Sequence, residues 1–213
     1  MIRLHNYYRS GTSHRVRIAL NLKKVSYEYV PLNLLEKAHK SEAYLALNPQ
    51  GLAPALEVDG HVLTQSPAIL EWIEESWPEP PLLPTDRFDR ARVRAMAALI
   101  ACDIHPINNL RILNALKQDF GADHDAVLGW ITRWTTDGFS ALETLLNTNH
   151  NRGEFCFGKA PGLVECNLIP QVYAARRFDV DLAPYPAITA IDAACAALPA
   201  FESAHPANQP DAV

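Results

Sequence analysis

Four prolines fall within seven residues at "PEPPLLP", residues 78–84. Such a run cannot continue a helix, because proline lacks an amide hydrogen and its ring crowds the preceding turn; it favours an extended connection instead. The run divides the chain into stretches of different pattern. The first mixes strand and helix signals, and the second is helical to near its end. At 213 residues there is length for one large domain or two small ones, with a sizeable buried core. A first domain is expected over 1–82, a linker over 83–89 and a second domain over 90–213.

In the first stretch "IRLHNYY" carries Ile2, Leu4 and the β-favouring Tyr7 and Tyr8. After "RSGTSHR", the residues Val16, Ala19, Leu20, Leu22 and Val25 recur at helical spacing and predict a helix from Thr12 to Lys24. "YEYVPL" (27–32) reads as a second strand and "KAHKSEAYLALN" (37–48) as a helix. "ALEVDGHVLTQ" (55–65) holds two short apolar runs joined by Asp59-Gly60, a two-residue hairpin signal. "SPAILEWIEESW" opens with Ser66 as expected N-cap and Pro67 at the first helical position. Beyond the prolines, helices are expected over 86–119, 124–147, 163–177 and 187–199, followed by an irregular "SAHPANQPDAV". The fold class is α/β plus all-α.

Charge narrows the function. A net charge of −5 and a pI near 5.9 weigh against a nucleic-acid partner, which favours a basic footprint. An acidic protein can still present a locally positive cleft to a small anion. No apolar run approaches the ~18 residues needed to span a bilayer, and the first residues lack an export pattern; a cytoplasmic protein without membrane attachment is expected. Cys102, Cys156, Cys166 and Cys195 are scattered and read as reduced, mostly structural thiols. The eight histidines form no metal-ligand pattern, so no metal is expected. Arg87, Arg90 and Arg94, interleaved with Asp86 and Asp89, read as an ion-paired surface.

Chemistry concentrates in "RSGTSHR". One hydroxyl suffices to cap a helix, yet Ser10, Thr12 and Ser13 supply three, and Gly11 permits close approach to the backbone. A helix start offers unpaired N–H groups and partial positive charge to an anion. Hydroxyls there can donate to a thiolate or an oxyanion. A serine-hydrolase elbow is disfavoured, because Arg15 stands where its second glycine is needed. In "NPQGLAPAL" (48–56), Ala53 before Pro54 can offer N–H and C=O to an extended peptide-like ligand. In "TQSPAI", Ser66 and nearby N–H groups can receive a carboxylate. Each is also an ordinary turn or cap.

Together, "YYRSGTSHRVRIALNLK", "LNPQGLAPAL", "QSPAILEWIEE", "LLP" and "YPAI" resemble the zeta class of glutathione transferases, which includes maleylacetoacetate isomerases. "RSGTSHR" with "CDIHPINN" and "ARRF" is similar to the bacterial maleylpyruvate isomerase branch. The resemblance implies a thioredoxin-like first domain and a helical second domain, with glutathione as cofactor. Its γ-glutamyl carboxylate is then expected at Gln65 and Ser66, its cysteinyl backbone at Ala53 and its glycyl end near His39. Its sulfur is expected beside Ser10, Gly11 and Thr12, and His105 and Asn109 beside the tripeptide. Arg9, Arg111 and Arg177 (or Arg176) are the implied grips on a small dicarboxylate substrate, with Ser10, Thr12, Arg9 and His105 in the catalytic set. The implied reaction is cis–trans isomerisation of a conjugated double bond, and the implied assembly a homodimer.

Alternatives are a maleylacetoacetate isomerase, a general glutathione transferase or a non-enzymatic module of the same fold. Gly11, Thr12 and His14 replace the class's usual Ser, Cys and Trp, and Gly162 replaces a capping Ser or Thr. On a regular helix Arg111 lies about 120° round from His105; Pro106 can supply the distortion that lets both reach one ligand.

Overall fold

The computed structural model describes all 213 residues. In chain order the elements are β1 (Ile2–Asn6), α1 (Gly11–Leu22), β2 (Glu28–Pro31), α2 (Glu42–Leu47), β3 (Ala55–Val58), β4 (His61–Thr64) and α3 (Ser66–Ser76). Then follow α4 (Arg87–Ala98), α5 (Leu110–Asp119), α6 (His124–Thr148), α7 (Leu163–Arg177), α8 (Pro186–Ala196) and α9 (Pro199–Ala204). Two compact units result: Met1–Leu82 together with Ala196–Val213, and Leu83–Cys195. No helix is long and apolar enough to cross a membrane.

The first unit is built on a four-stranded sheet in the order β2-β1-β3-β4. β2 runs parallel to β1, so a crossover through α1 is needed, while β3 and β4 pair antiparallel. The hairpin turn falls on Asp59 and Gly60, both at positive φ as a two-residue primed turn requires. Leu4 and Leu56, partners across β1 and β3, are fully buried. Helix α1 packs against α3 and α9 and is buried continuously from Ser13 to Leu20. That stretch includes Arg15 and Arg17, at 2% and 0% exposure.

Three expectations shift here. The helix expected over 37–48 divides into a 3-10 turn at Ala38–Lys40 and α2, because Ser41 caps a fresh helix by accepting from the Tyr44 N–H. Gln65, at φ 67°, is the cap position of α3, so Ser66 is its first residue; the Ser66 hydroxyl is engaged by Arg15 instead. Residues 196–213 group with the sheet rather than with the helical half. Pro199 ends the α8 path and starts α9, and Arg17 and Asn21 of α1 donate to the carbonyls of Ala204 and Ala200.

The second unit is helical. The continuous helix expected over 86–119 is broken. α4 passes into a π-helical turn at Leu99–Ile104, a 3-10 turn at Pro106–Asn108 follows, and Asn109 caps α5. Pro106 has no amide to offer the Cys102 carbonyl, and the His105 N–H reaches back five residues to Ile100 O at 3.0 Å. α7 is a core helix, buried from Leu163 through Val172. At its start Glu165 accepts from the N–H groups of Gly162 and Cys156, both at 2.7 Å, preserving the part of a capping box that glycine allows.

Candidate functional site

The joint between β1 and α1 resolves the three hydroxyls into different tasks. Ser13 is wholly buried, and its Oγ accepts from the Tyr7 N–H at 3.4 Å, so it belongs to the scaffold. Ser10 is the N-cap of α1, its Oγ accepting from the Ser13 N–H at 3.3 Å. Thr12 Oγ1 donates to the Ala53 carbonyl at 2.9 Å. A hydroxyl has one proton. In the 2.9 Å contact between Ser10 Oγ and Thr12 Oγ1, Ser10 is therefore the donor. Ser10 can redirect that proton to a ligand by rotating one bond, whereas Thr12 is tied to the neighbouring turn. Ser10, Gly11 and Thr12 are all half-buried, and the Gly11 and Thr12 amides belong to the helix's first turn.

Arg9 is half-buried, with its guanidinium carbon 5.7 Å from the centre of the Tyr8 ring. The bond between Ala53 and Pro54 is cis. The Ala53 carbonyl is not free, as the sequence had suggested, because Thr12 holds it; its second lone pair remains. Tyr44 Oη and Asn48 Nδ2 both donate to Leu52 O at 2.7 Å and hold the turn from behind. His39 is half-buried, and burial together with Lys40 lowers its pKa, which favours the neutral ring. Gly51 lies at φ 58° with Lys40 Nζ and His39 O within 2.9 Å of where a Cβ would stand, so only glycine fits there.

At the start of α3, Ser66 is buried and its Oγ accepts from Arg15 Nη1 at 3.3 Å, while Gln65 is exposed and its amide donates to Gln50 Oε1. Arg15 and Gln50 were not anticipated. The available signal for Arg15 was a cation inside an apolar run, "SHRVRIAL". Among the expected site residues of the first unit, Thr12 and Ala53 bind each other, whereas Gln65 binds Gln50 and Ser66 binds the buried Arg15.

In the second unit His105 is half-buried at the junction of the π and 3-10 turns. The Asn109 Oδ1 caps α5 through the Arg111 and Ile112 N–H groups, at 3.1 and 3.4 Å, leaving its amide nitrogen for other work. Arg111 is exposed on the first turn of α5. Because the helix restarts at Asn109, the objection drawn from a regular helix no longer applies to Arg111 and His105. Arg176 is ion-paired with Asp192 at 2.6 Å, whereas exposed Arg177 lies 4.5 Å over Phe178. None of the four cysteines forms a disulfide. Burial first, then Glu165, pushes the Cys156 and Cys195 thiols up, which suits inert core residues.

The sequence model for the glutathione S-transferase N-terminal domain matches residues 9–76. The chain is 56% identical over 210 residues to a maleylpyruvate isomerase of Ralstonia sp, covering 99% of each. It superimposes with a TM-score of 0.98, at 55% identity, on a solved maleylpyruvate isomerase described as a bacterial zeta-class glutathione S-transferase, covering 99% of this chain and 100% of that one. The chain belongs to the zeta class of the glutathione S-transferases. This zeta-class transferase is also 50% identical over 213 residues to a maleylacetoacetate isomerase of Pseudomonas aeruginosa, covering 99% of this chain and 98% of the relative. A maleylacetoacetate isomerase of Methylobacterium extorquens, solved with malonate and glutathione, matches it at a TM-score of 0.95 and 38% identity, covering 99% of each chain. The thioredoxin-like sheet unit and the helical unit are those of the glutathione S-transferase fold.

Proposed function

We propose that this protein is a glutathione-dependent cis–trans isomerase that converts maleylpyruvate to fumarylpyruvate. The observation that carries the reading is the Ser10–Gly11–Thr12 helix start, hydrogen-bonded through Thr12 to Ala53, in a chain 56% identical to a maleylpyruvate isomerase. The donor set of the sheet unit fits glutathione. A backbone edge at Ala53 suits a peptide, the first-turn amides of α3 with Arg15 behind Ser66 suit a carboxylate, and the movable Ser10 hydroxyl at the start of α1 suits a thiolate. Bound glutathione supplies a thiolate that adds to the conjugated double bond, leaves it single long enough to rotate, and departs.

The chain's residues meet two demands. An unperturbed thiol ionises near pH 8.5; a hydrogen bond from Ser10 Oγ and the amides of Gly11 and Thr12 favour its charged form. A substrate with two carboxylates needs cations, for which Arg9, Arg111 and Arg177 are the candidates. His105 steadies the charge that develops on the substrate carbonyl, and Gln65, Ser66, His39 and the Asn109 amide hold the tripeptide. A homodimer, a cytoplasmic location and service in the ring-cleavage breakdown of gentisate-type aromatics complete the proposal.

The test is to follow conversion of maleylpyruvate and of maleylacetoacetate by purified protein with glutathione. Faster turnover of maleylacetoacetate transfers the assignment to that substrate, which the 50% identical relative favours. Ser10→Ala is expected to cut kcat by roughly 100-fold or more. It should also cost about 1 kcal/mol of stability through the lost cap. Arg9→Ala and Arg111→Ala are expected to raise KM. If they leave isomerisation untouched while glutathione conjugation of electrophiles persists, the reading as a general transferase gains.

A further inference from the structure

We propose that Asp211, 203 positions away from Tyr8 in sequence, is a positioning residue for the Arg9–Ser10 loop. Its carboxylate oxygens divide between two partners of the sheet unit. Oδ2 accepts from the backbone N–H of Tyr8 at 3.2 Å, and Oδ1 accepts a short hydrogen bond from Tyr29 Oη on β2. Burial first, then Asp211, pushes the Tyr29 hydroxyl far up, so that it remains a donor across the working pH range.

Tyr8 is held from the other side as well. The buried guanidinium of Arg17 donates to the Tyr8 carbonyl at 2.8 Å and to the Tyr7 carbonyl at 3.4 Å. The peptide plane before the Tyr8 Cα is thus held at both ends, through the Tyr8 N–H by Asp211 and through the Tyr7 C=O by Arg17, and the plane after it through the Tyr8 C=O by Arg17. Together they set the direction in which the chain leaves toward Arg9, whose guanidinium lies over the Tyr8 ring, and Ser10, whose N–H returns to Tyr7 O at 3.0 Å. Asp211 itself is firmly placed. Gln209, 8% exposed, donates to the carbonyls of Ser203 and His205 at 2.8 Å each, and the Ala212 N–H donates to Gln209 O at 3.1 Å. A carboxylate serving only to fasten residues 205–213 could bond any exposed strand edge. This one bonds the residue that precedes the working loop.

The inference rests on the reading of Arg9 and Ser10 as working residues, and its test is kept separable from it. Asp211→Asn and Tyr29→Phe are compared with the parent by three measurements: the pKa of enzyme-bound glutathione from its ultraviolet thiolate absorbance, KM and kcat for maleylpyruvate, and the melting temperature. Loosening the loop is expected to raise the bound-thiol pKa by about half a unit. It should raise KM about fivefold while the glutathione dissociation constant stays within about twofold. Tyr29→Phe should show the same pattern at smaller size, and carries the test alone if Asp211→Asn does not fold. An unchanged thiol pKa and KM in both variants, or losses that follow only the melting temperature, overturn the proposal. Should the parent isomerise neither keto acid, the function falls, while the thiol titration still decides what Asp211 does.

Discussion

At the scale of single residues, the opening loop shows how alike side chains part company once packed. Ser10, Thr12 and Ser13 are interchangeable as hydroxyls in sequence, but one caps, one bridges to Ala53 and one is buried under Tyr7. His14 beside them is fully buried, and burial first, then Arg17 and His205, holds its pKa well below the ordinary value. Unfolded, this histidine binds a proton near pH 6.5; folded, it stays neutral to lower pH. Below about pH 6.5 the unfolded chain therefore holds more protons, so the contribution of His14 to stability is lost as pH falls toward its folded pKa. Urea midpoints taken at pH 7.5 and 5.5 should drop more steeply for the parent than for His14→Gln. Equal drops would assign the acid sensitivity elsewhere.

Helices and strands were legible wherever the apolar period and the turn chemistry were local. The β-α-β-α-β-β-α order, the Asp59-Gly60 hairpin, α6 and α7 follow from such patterns, and the structure keeps them. The failure at 86–119 has a physical cause. Apolar spacing runs on through Pro106, but the missing amide forces the π and 3-10 turns between α4 and α5. The π turn is accommodated by Gly138 on α6, where an added Cβ would stand 2.3 Å from Ile104 Cδ1 and 2.4 Å from its Cγ1. Ile104 is 1% exposed and has little room to retreat. Gly138→Ala is accordingly expected to destabilise the helical unit by about 1–3 kcal/mol, read as a lower midpoint in chemical unfolding. An unchanged or raised midpoint would mean that the turn shifts freely.

Across the whole molecule, the segment from Ala196 onward completes the sheet unit, although it arrives last in the chain. Arg17 is the tie. Its guanidinium serves Asn6 Oδ1 and the carbonyls of Tyr7, Tyr8 and Ala204. Removing it strands several buried acceptors, each costing roughly 1–3 kcal/mol, against a total stability for a typical domain of about 5–15 kcal/mol. Arg17→Met should therefore lower the thermal midpoint sharply, and Arg17→Lys, which keeps a donor but not the planar fork, by less. If both melt with the parent, the segment is held by its other contacts, among them those of Asn21 and Asp211, and Arg17 is not the tie.

Periodicity, prolines and turn residues act over a few positions, so the chain alone determined most of its elements, including the helix that follows the Ser10–Gly11–Thr12 turn. The resemblance to zeta-class transferases supplied the ligand and the remaining site residues as expectations. What tertiary structure decided are the pairings that no local pattern encodes. Arg15 lies behind Ser66 and Thr12 binds Ala53, while Arg17 meets Ala204 across 187 positions and Asp211 meets Tyr8 across 203. A buried polar group must find a partner wherever the fold brings one, and that choice is made only when distant segments pack.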